Sequence, residues 1–207
     1  RVSLLAAPTE TFAAVAFEPM ISKALDYLAQ VGCRRVAVLS NLCDETSAEW
    51  LTSAIQQRGM TTRPYWIQAV HLMAPMAARR VVNLLFHGGQ DERPDGFLIT
   101  DDNLVEYAIG GLVDAAVQVP SELRVVAHCN FPVTAPTVLP VKRLGYRISD
   151  VMDACLELLA EQGQGKPPGL RLVNAVFEDE PTVPIGSRAM EPYARAALPA
   201  TGAGPGS

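Results

Sequence analysis

Apolar positions along the chain fall into two alternating rhythms. Between Met20 and Gln30, residues Ile21, Ala24, Leu25 and Leu28 recur at helical spacing, and Gly32 follows as a stop signal. Arg34-Arg35 then leads into Val36-Ala37-Val38-Leu39-Ser40, an apolar run without polar alternation, as in a parallel strand covered on both faces. The unit repeats. Asp44 to Arg58 predicts a helix closed by Gly59, with Asp44 or Thr46 as its cap. Pro64-Tyr65-Trp66-Ile67 predicts a short strand, and Met76 to Phe86 a helix stopped by Gly88-Gly89. Gly96 to Thr100 predicts a strand, Asn103 to Val117 a helix, and Leu123 to Ala127 a strand. This alternation predicts an α/β fold, a parallel sheet with helices on both faces and right-handed crossovers.

Beyond Asn130 the rhythm changes. Phe131 to Leu139, with Pro132 and Pro136 and with Pro140 next, predicts an extended connector. Ser149 to Gln162 predicts a helix whose apolar face is Val151, Met152, Cys155, Leu156 and Leu159, and Leu170 to Phe177 predicts a final strand. From Pro184 onward Ala, Pro, Gly and Ser dominate, so the tail over 184–207 is expected to be flexible.

Composition narrows the function classes. With 207 residues the chain is long for one ordinary domain and short for two. Seventeen Lys and Arg against 22 Asp and Glu give a net charge of −5, which argues against a nucleic-acid surface, because phosphate neutralisation needs a clustered cationic excess. The apolar stretches are broken by charges well before the roughly 20 residues of a membrane helix, and the first residues lack the pattern of a secretory signal. Cys33, Cys43, Cys129 and Cys155 lie far apart with no metal-ligand spacing, so reduced thiols in a reducing cytoplasm are expected, with neither metal nor cofactor.

Ligands of open parallel sheets bind beyond the carboxyl ends of the strands. The residues there are Ser40-Asn41, Gln68 with His71, Asp101-Asp102 and His128-Cys129-Asn130. None completes a nucleophile elbow, a phosphate loop or a metalloprotease motif, so a binding domain rather than an enzyme is expected. His71 is placed in a turn facing the cleft, while His87 at a helix end complements the dipole. His128 and Cys129 are strand neighbours that point to opposite faces, which rules out a dyad and assigns them to the core. Of the two acids, Asp102 is expected to cap the next helix and Asp101 to face a ligand. Gly110-Gly111 inside a helix predicts close approach of another backbone, and from it a dimer.

The segment Ala24-Leu25-Asp26-Tyr27-Leu28-Ala29-Gln30-Val31-Gly32-Cys33-Arg34-Arg35-Val36-Ala37-Val38-Leu39 resembles the second-lobe opening of lactose-repressor/galactose-repressor family regulators. Pro94-Asp95-Gly96-Phe97 through Asp101-Asp102, followed by Val119-Pro120-Ser121-Glu122-Leu123-Arg124-Val125-Val126, is similar to that family's later signature. The resemblance runs from about Val2 to Phe177. It implies a fold like type I periplasmic binding proteins, with one complete lobe and part of a second, an effector in the cleft between lobes, and a homodimer. Residues 1–18 and 141–167 would belong to the first lobe, and 19–131 and 168–180 to the second. Val2 to Ala6 would be the last strand of the first lobe. Phe17-Glu18, Pro132 to Val141, and Pro167 to Leu170 would be the three crossovers.

Carried over one position at a time, the family's pocket arginine falls on Ser47. Its pocket aspartate falls on Cys129 with Asn130 next, its pocket asparagine on Asp101, its pocket glutamine on Tyr146 and the following aromatic on Ile148. Asn41, His71 and Arg147 add polar groups around the same cleft. The resemblance implies the effector-sensing part of a cytoplasmic transcriptional regulator that binds a sugar or related metabolite. DNA would be touched only through a module outside these residues, and no membrane would be a partner. The alternative on the same fold is the solute-binding component of an uptake system, which unpaired cysteines disfavour.

Overall fold

The computed structural model describes residues 12–41, 44–166 and 169–181. Its elements run β1 (Phe12–Val15), α1 (Phe17–Gln30), β2 (Val36–Ser40), α2 (Glu45–Gln56), β3 (Ile67–Ala69), α3 (Ala77–Phe86), β4 (Gly96–Ile99) and α4 (Asp102–Asp114). Then follow β5 (Arg124–Phe131), β6 (Lys142–Arg147), α5 (Ile148–Gly163), β7 (Leu170–Val173) and β8 (Val176–Phe177). Six strands make one sheet in the order β3-β2-β4-β5-β6-β8, parallel except where β8 runs against β6. Strands β1 and β7 pair in parallel as a separate two-stranded sheet.

The continuous apolar runs have the reason expected of them. Every residue of β2 and β4 is buried, and successive side chains feed two cores. Val36 and Val38 face Leu25, Leu28 and Ile55 of α1 and α2, whereas Ala37 and Leu39 face Val82, Phe86, Leu104 and Leu112 of α3 and α4. Each fully buried Leu or Phe contributes on the order of 1.5–3 kcal/mol relative to exposure, so the two layers dominate the stability of the sheet. The helices start and stop on local signals. The Asp44 carboxylate accepts from Ser47 N at 2.8 Å and caps α2, and Gly32 takes φ 90° after α1.

Several elements differ from the sequence-based expectation. Phe17-Glu18, expected as a crossover, opens α1, because Met20 N donates to Ala16 O and closes a first helical turn. Pro64–Trp66 is a 3-10 turn, not a strand: Pro64 has no N–H to offer a sheet, and Trp66 N donates to Arg63 O at 2.8 Å, leaving only Ile67–Ala69 to pair with β2. Strand β6 was not expected at all. Leu170 to Phe177 is two strands on two sheets, split at Asn174-Ala175. The connector over 132–141 holds no helix, as its prolines predict.

Helix α5 is the largest departure. It lies on β1 and β7 and buries Asp150, Ala154 and Leu158. Of the face expected inside, Val151 and Cys155 are half-buried, while Met152, Leu156 and Leu159 are 54, 58 and 62% exposed. Among the described residues only two strands lie in the sheet beneath it, too few to cover a full apolar stripe. The glycine pair also finds its neighbour inside the chain. A Cβ at Gly111 would stand 2.4 Å from Arg79 O, so α3 and α4 touch backbone to backbone, and the inference of a dimer from these glycines loses its basis. The Val2 to Ala6 strand, Cys43, Pro167 and the tail over 184–207 lie outside the described residues.

Candidate functional site

Parallel pairing brings the carboxyl ends of β2, β4, β5 and β6 to one edge of the sheet. Just past those ends a polar network closes. Asn41 Nδ2 donates to Asp101 Oδ2 at 2.7 Å, and Asp101 Oδ1 accepts from both the backbone N and the side-chain Nδ2 of Asn103 at 2.9 Å. Asn130 Nδ2 donates to Asp102 Oδ2 at 2.6 Å, and Asn103 Nδ2 reaches Asp102 Oδ1 at 3.3 Å. The ends of β2 and β5 are thereby tied to the start of α4.

The two acids exchange the roles expected of them. Asp101, not Asp102, caps α4, because its extended backbone (φ −135°, ψ 127°) turns the carboxylate back onto Asn103 N. Asp102 is the first helical residue and faces Asn130 instead. Both carboxylates sit at the positive end of the helix dipole, which favours their charge.

The remaining expected residues divide. Tyr146 stands opposite Asn130 in the β5–β6 register, but its buried hydroxyl donates to Ala16 O at 2.9 Å, and burial pushes the phenol pKa up. Arg147 Nη2 donates to the Glu180 carbonyl at 2.6 Å, while Nη1 is buried without a partner among the described residues. Cys129 is 2% exposed, and burial pushes its thiol up to about 12, the state of an inert core cysteine. Its strand partner must be glycine. A Cβ at Gly145 would stand 1.7 Å from Cys129 O. Ser47 is an exposed residue in the first turn of α2, bonded through its backbone to Asp44. His71 is exposed, and its Nδ1 accepts from Met73 N at 3.2 Å, a contact internal to its own turn. Direct bonds, through Asn103 and Asp102, therefore join Asn41, Asp101 and Asn130 into one network, and among the described residues no such bond joins Ser47, His71, Cys129 or Arg147 to it.

His128, assigned to the core from sequence, is half-buried at the polar end of β5. It shares a strand face with Asn130, two residues on, and its ring meets Tyr146 edge-on at 5.7 Å. Nδ1 and Nε2 are both buried and without a hydrogen-bond partner among the described residues. Burial holds its pKa below the ordinary value, while the carboxylates of Asp102 and Asp101 pull the other way. The available signal was a titratable side chain following Val125-Val126-Ala127 inside an otherwise apolar strand. Among the described residues no group of His, Cys, Asp and Glu could hold a metal ion, and no helix is long and apolar enough to cross a membrane.

The profile of the periplasmic binding protein-like domain matches residues 25–176. A search of curated proteins finds no match. Among solved structures, a putative ribose operon repressor from Burkholderia thailandensis is 18% identical with a TM-score of 0.63, over 85% of this chain and 66% of that one. A LacI family transcription regulator from Clostridium acetobutylicum is 14% identical with a TM-score of 0.66, over 83% of this chain and 66% of that one. A regulatory protein of LacI family from Chloroflexus aggregans is 16% identical with a TM-score of 0.70, over 84% of this chain and 63% of that one. The chain thus spans 63–66% of the length of these three structures. At such identities the likeness is one of fold.

Proposed function

Because the chain belongs to the periplasmic binding protein-like domain family, we propose that it is the effector-sensing part of a transcriptional regulator of the LacI type. One observation carries this reading. Four parallel strands end at one edge, where Asn41, Asp101, Asp102 and Asn130 form a half-buried polar floor. Such an edge is where open α/β sheets take small molecules, and polar groups fixed by one another are preorganised to orient hydroxyls or amines. The effector would be a sugar or related metabolite, held by that floor with Arg147 at its rim and the buried Tyr146 as backing. Ser47 stays at the margin where the resemblance put it and His71 where its turn put it, whereas Cys129, 2% exposed, belongs to the core beneath the floor.

In this reading β1, β7 and α5 belong to the first lobe, and the six-stranded sheet, with α1 to α4, is the core of the second; against the bounds expected from sequence, this moves residues 142–147 from the first lobe to the second and 170–173 from the second to the first. The three described cysteines, Cys33, Cys129 and Cys155, are free thiols, which suits a cytoplasmic protein better than a solute-binding component in an oxidising compartment. A homodimer is supported by large exposed apolar side chains after β3 and β5: Met73, Met76, Val133 and Val138 are 69–87% exposed. DNA would be contacted through a separate module.

Thermal unfolding with a panel of neutral sugars, amino sugars and nucleosides tests the proposal. A compound that binds only the folded chain raises its melting temperature by mass action, and Asn130→Ala is expected to abolish the shift. A panel that leaves the melting temperature unmoved, or a shift that survives Asn130→Ala, would count against the cleft.

A further inference from the structure

A neutral imidazole offers one donor and one acceptor, and burying either without a partner costs on the order of 1–3 kcal/mol. His128 buries both nitrogens that way among the described residues. The site around it is equally unbalanced in charge. Asp101 and Asp102 are bonded only by the amides of Asn41, Asn103 and Asn130, and neither forms an ion pair among the described residues. Asn130, on the same strand face as the imidazole, bonds Asp102, and the charges of Asp102 and Asp101 are felt at the ring. Arg147, at the end of β6, is turned to the Glu180 carbonyl rather than to either acid.

Resting on the cleft reading above, we infer that His128 is a residue that reads the effector, and that the effector carries a protonated amine beside a hydroxyl, as an amino sugar does. The amine sits against the carboxylates of Asp101 and Asp102, where a cation gains charge-assisted hydrogen bonds that a neutral hydroxyl cannot match. The neighbouring hydroxyl takes up the nitrogens that the ligand-free protein leaves unpaired. A residue kept at a cost to stability is expected where binding uses it.

The test uses the full chain with glucosamine and galactosamine, set against glucose, galactose and N-acetylglucosamine, which keeps the shape of glucosamine and removes its charge. At least one amino sugar is expected to raise the melting temperature and, by calorimetry, to bind tenfold or more tightly than its neutral counterpart. His128→Phe, which keeps a ring edge beside Tyr146, is expected to leave the unliganded melting temperature equal or higher while weakening the amino sugar at least tenfold. Asp102→Asn is expected to narrow the preference for the charged compound. Neutral sugars binding as well as amino sugars, or unchanged affinity in His128→Phe, would overturn this inference and leave the cleft reading standing. No binding by any of the five compounds, together with a lowered melting temperature for His128→Phe, would make the histidine structural and overturn the inference.

Discussion

Helices α4 and α5 carry apolar residues at the same spacing and meet opposite fates. In α4, Leu104, Val105, Ala108, Ile109, Gly111 and Leu112 are buried against α3 and the six-stranded sheet. In α5 only Asp150, Ala154 and Leu158 are buried, and a second apolar stripe through Ile148, Met152, Leu156 and Leu159 stays open. The difference lies beneath the helices and not in them. One rests on a wide sheet with a neighbouring helix locked to it by Gly111, the other, among the described residues, on a sheet of two strands of four residues each. Periodicity thus states that a face asks for cover, and the width of the layer below decides whether it is granted.

The contrast is sharpest for truncation of the closed side. Leu112→Ala, at a fully buried position, is expected to lose about 2–5 kcal/mol in urea unfolding, because the packed surroundings cannot collapse into the void. Next in size are the adjacent glycines. Gly111→Ala drives a methyl group into the Arg79 carbonyl and is expected to cost about 1–3 kcal/mol, whereas at Gly110 the nearest atoms are side-chain atoms of Arg79 from 3.5 Å, and alanine there should gain up to about 1 kcal/mol in helix propensity. Equal responses at the two positions would dissolve the claim of a locked α3–α4 contact.

Smaller effects probe the ground between the two helices. His128 holds its proton less tightly folded than unfolded. Below the unfolded value of about 6.5 the unfolded chain therefore binds more protons, so stability should fall as pH drops from 7.5 to 5.5, and His128→Phe should lack that part of the slope. The exposed carboxylates of Asp44, Asp114 and Asp179, held low by hydrogen bonds from Ser47, Arg79 and Lys142, act only at more acid pH. The smallest effect is expected on the open side. Leu156→Gln should change stability by less than about 0.5 kcal/mol while raising solubility. A large loss there, read by thermal unfolding, would mean that the stripe of α5 is covered after all.

Strands β2, β4 and β5 were legible because burial on both faces leaves an unbroken apolar word in the sequence. Strand β6 was not. Lys142, Arg143 and Arg147 lie on a strand bordered outside by only the two residues of β8, where Lys142 and Arg143 find Asp179 and Glu178, and position 145 must be glycine because the Cys129 carbonyl leaves no room for a Cβ. The cap at Asp101 and the first-turn acid at Asp102 look alike in sequence, and only the backbone angle separates them. For the site, strand ends led to Asn41, Asp101 and Asn130. The same reasoning dismissed His128 because it was weighed only as a partner for Cys129, and an unpaired ring is a property of surroundings that no local pattern records.

The six-stranded sheet is finished at each side by a very short strand, three residues of β3 and two of β8, the latter running backwards. Short, reversed borders make poor templates for a foreign strand. Any growth of this chain into fibrils by strand addition would have to begin elsewhere. Among the described residues the β1–β7 pair is where both outer strand edges stand unpaired, so strand addition is expected there first.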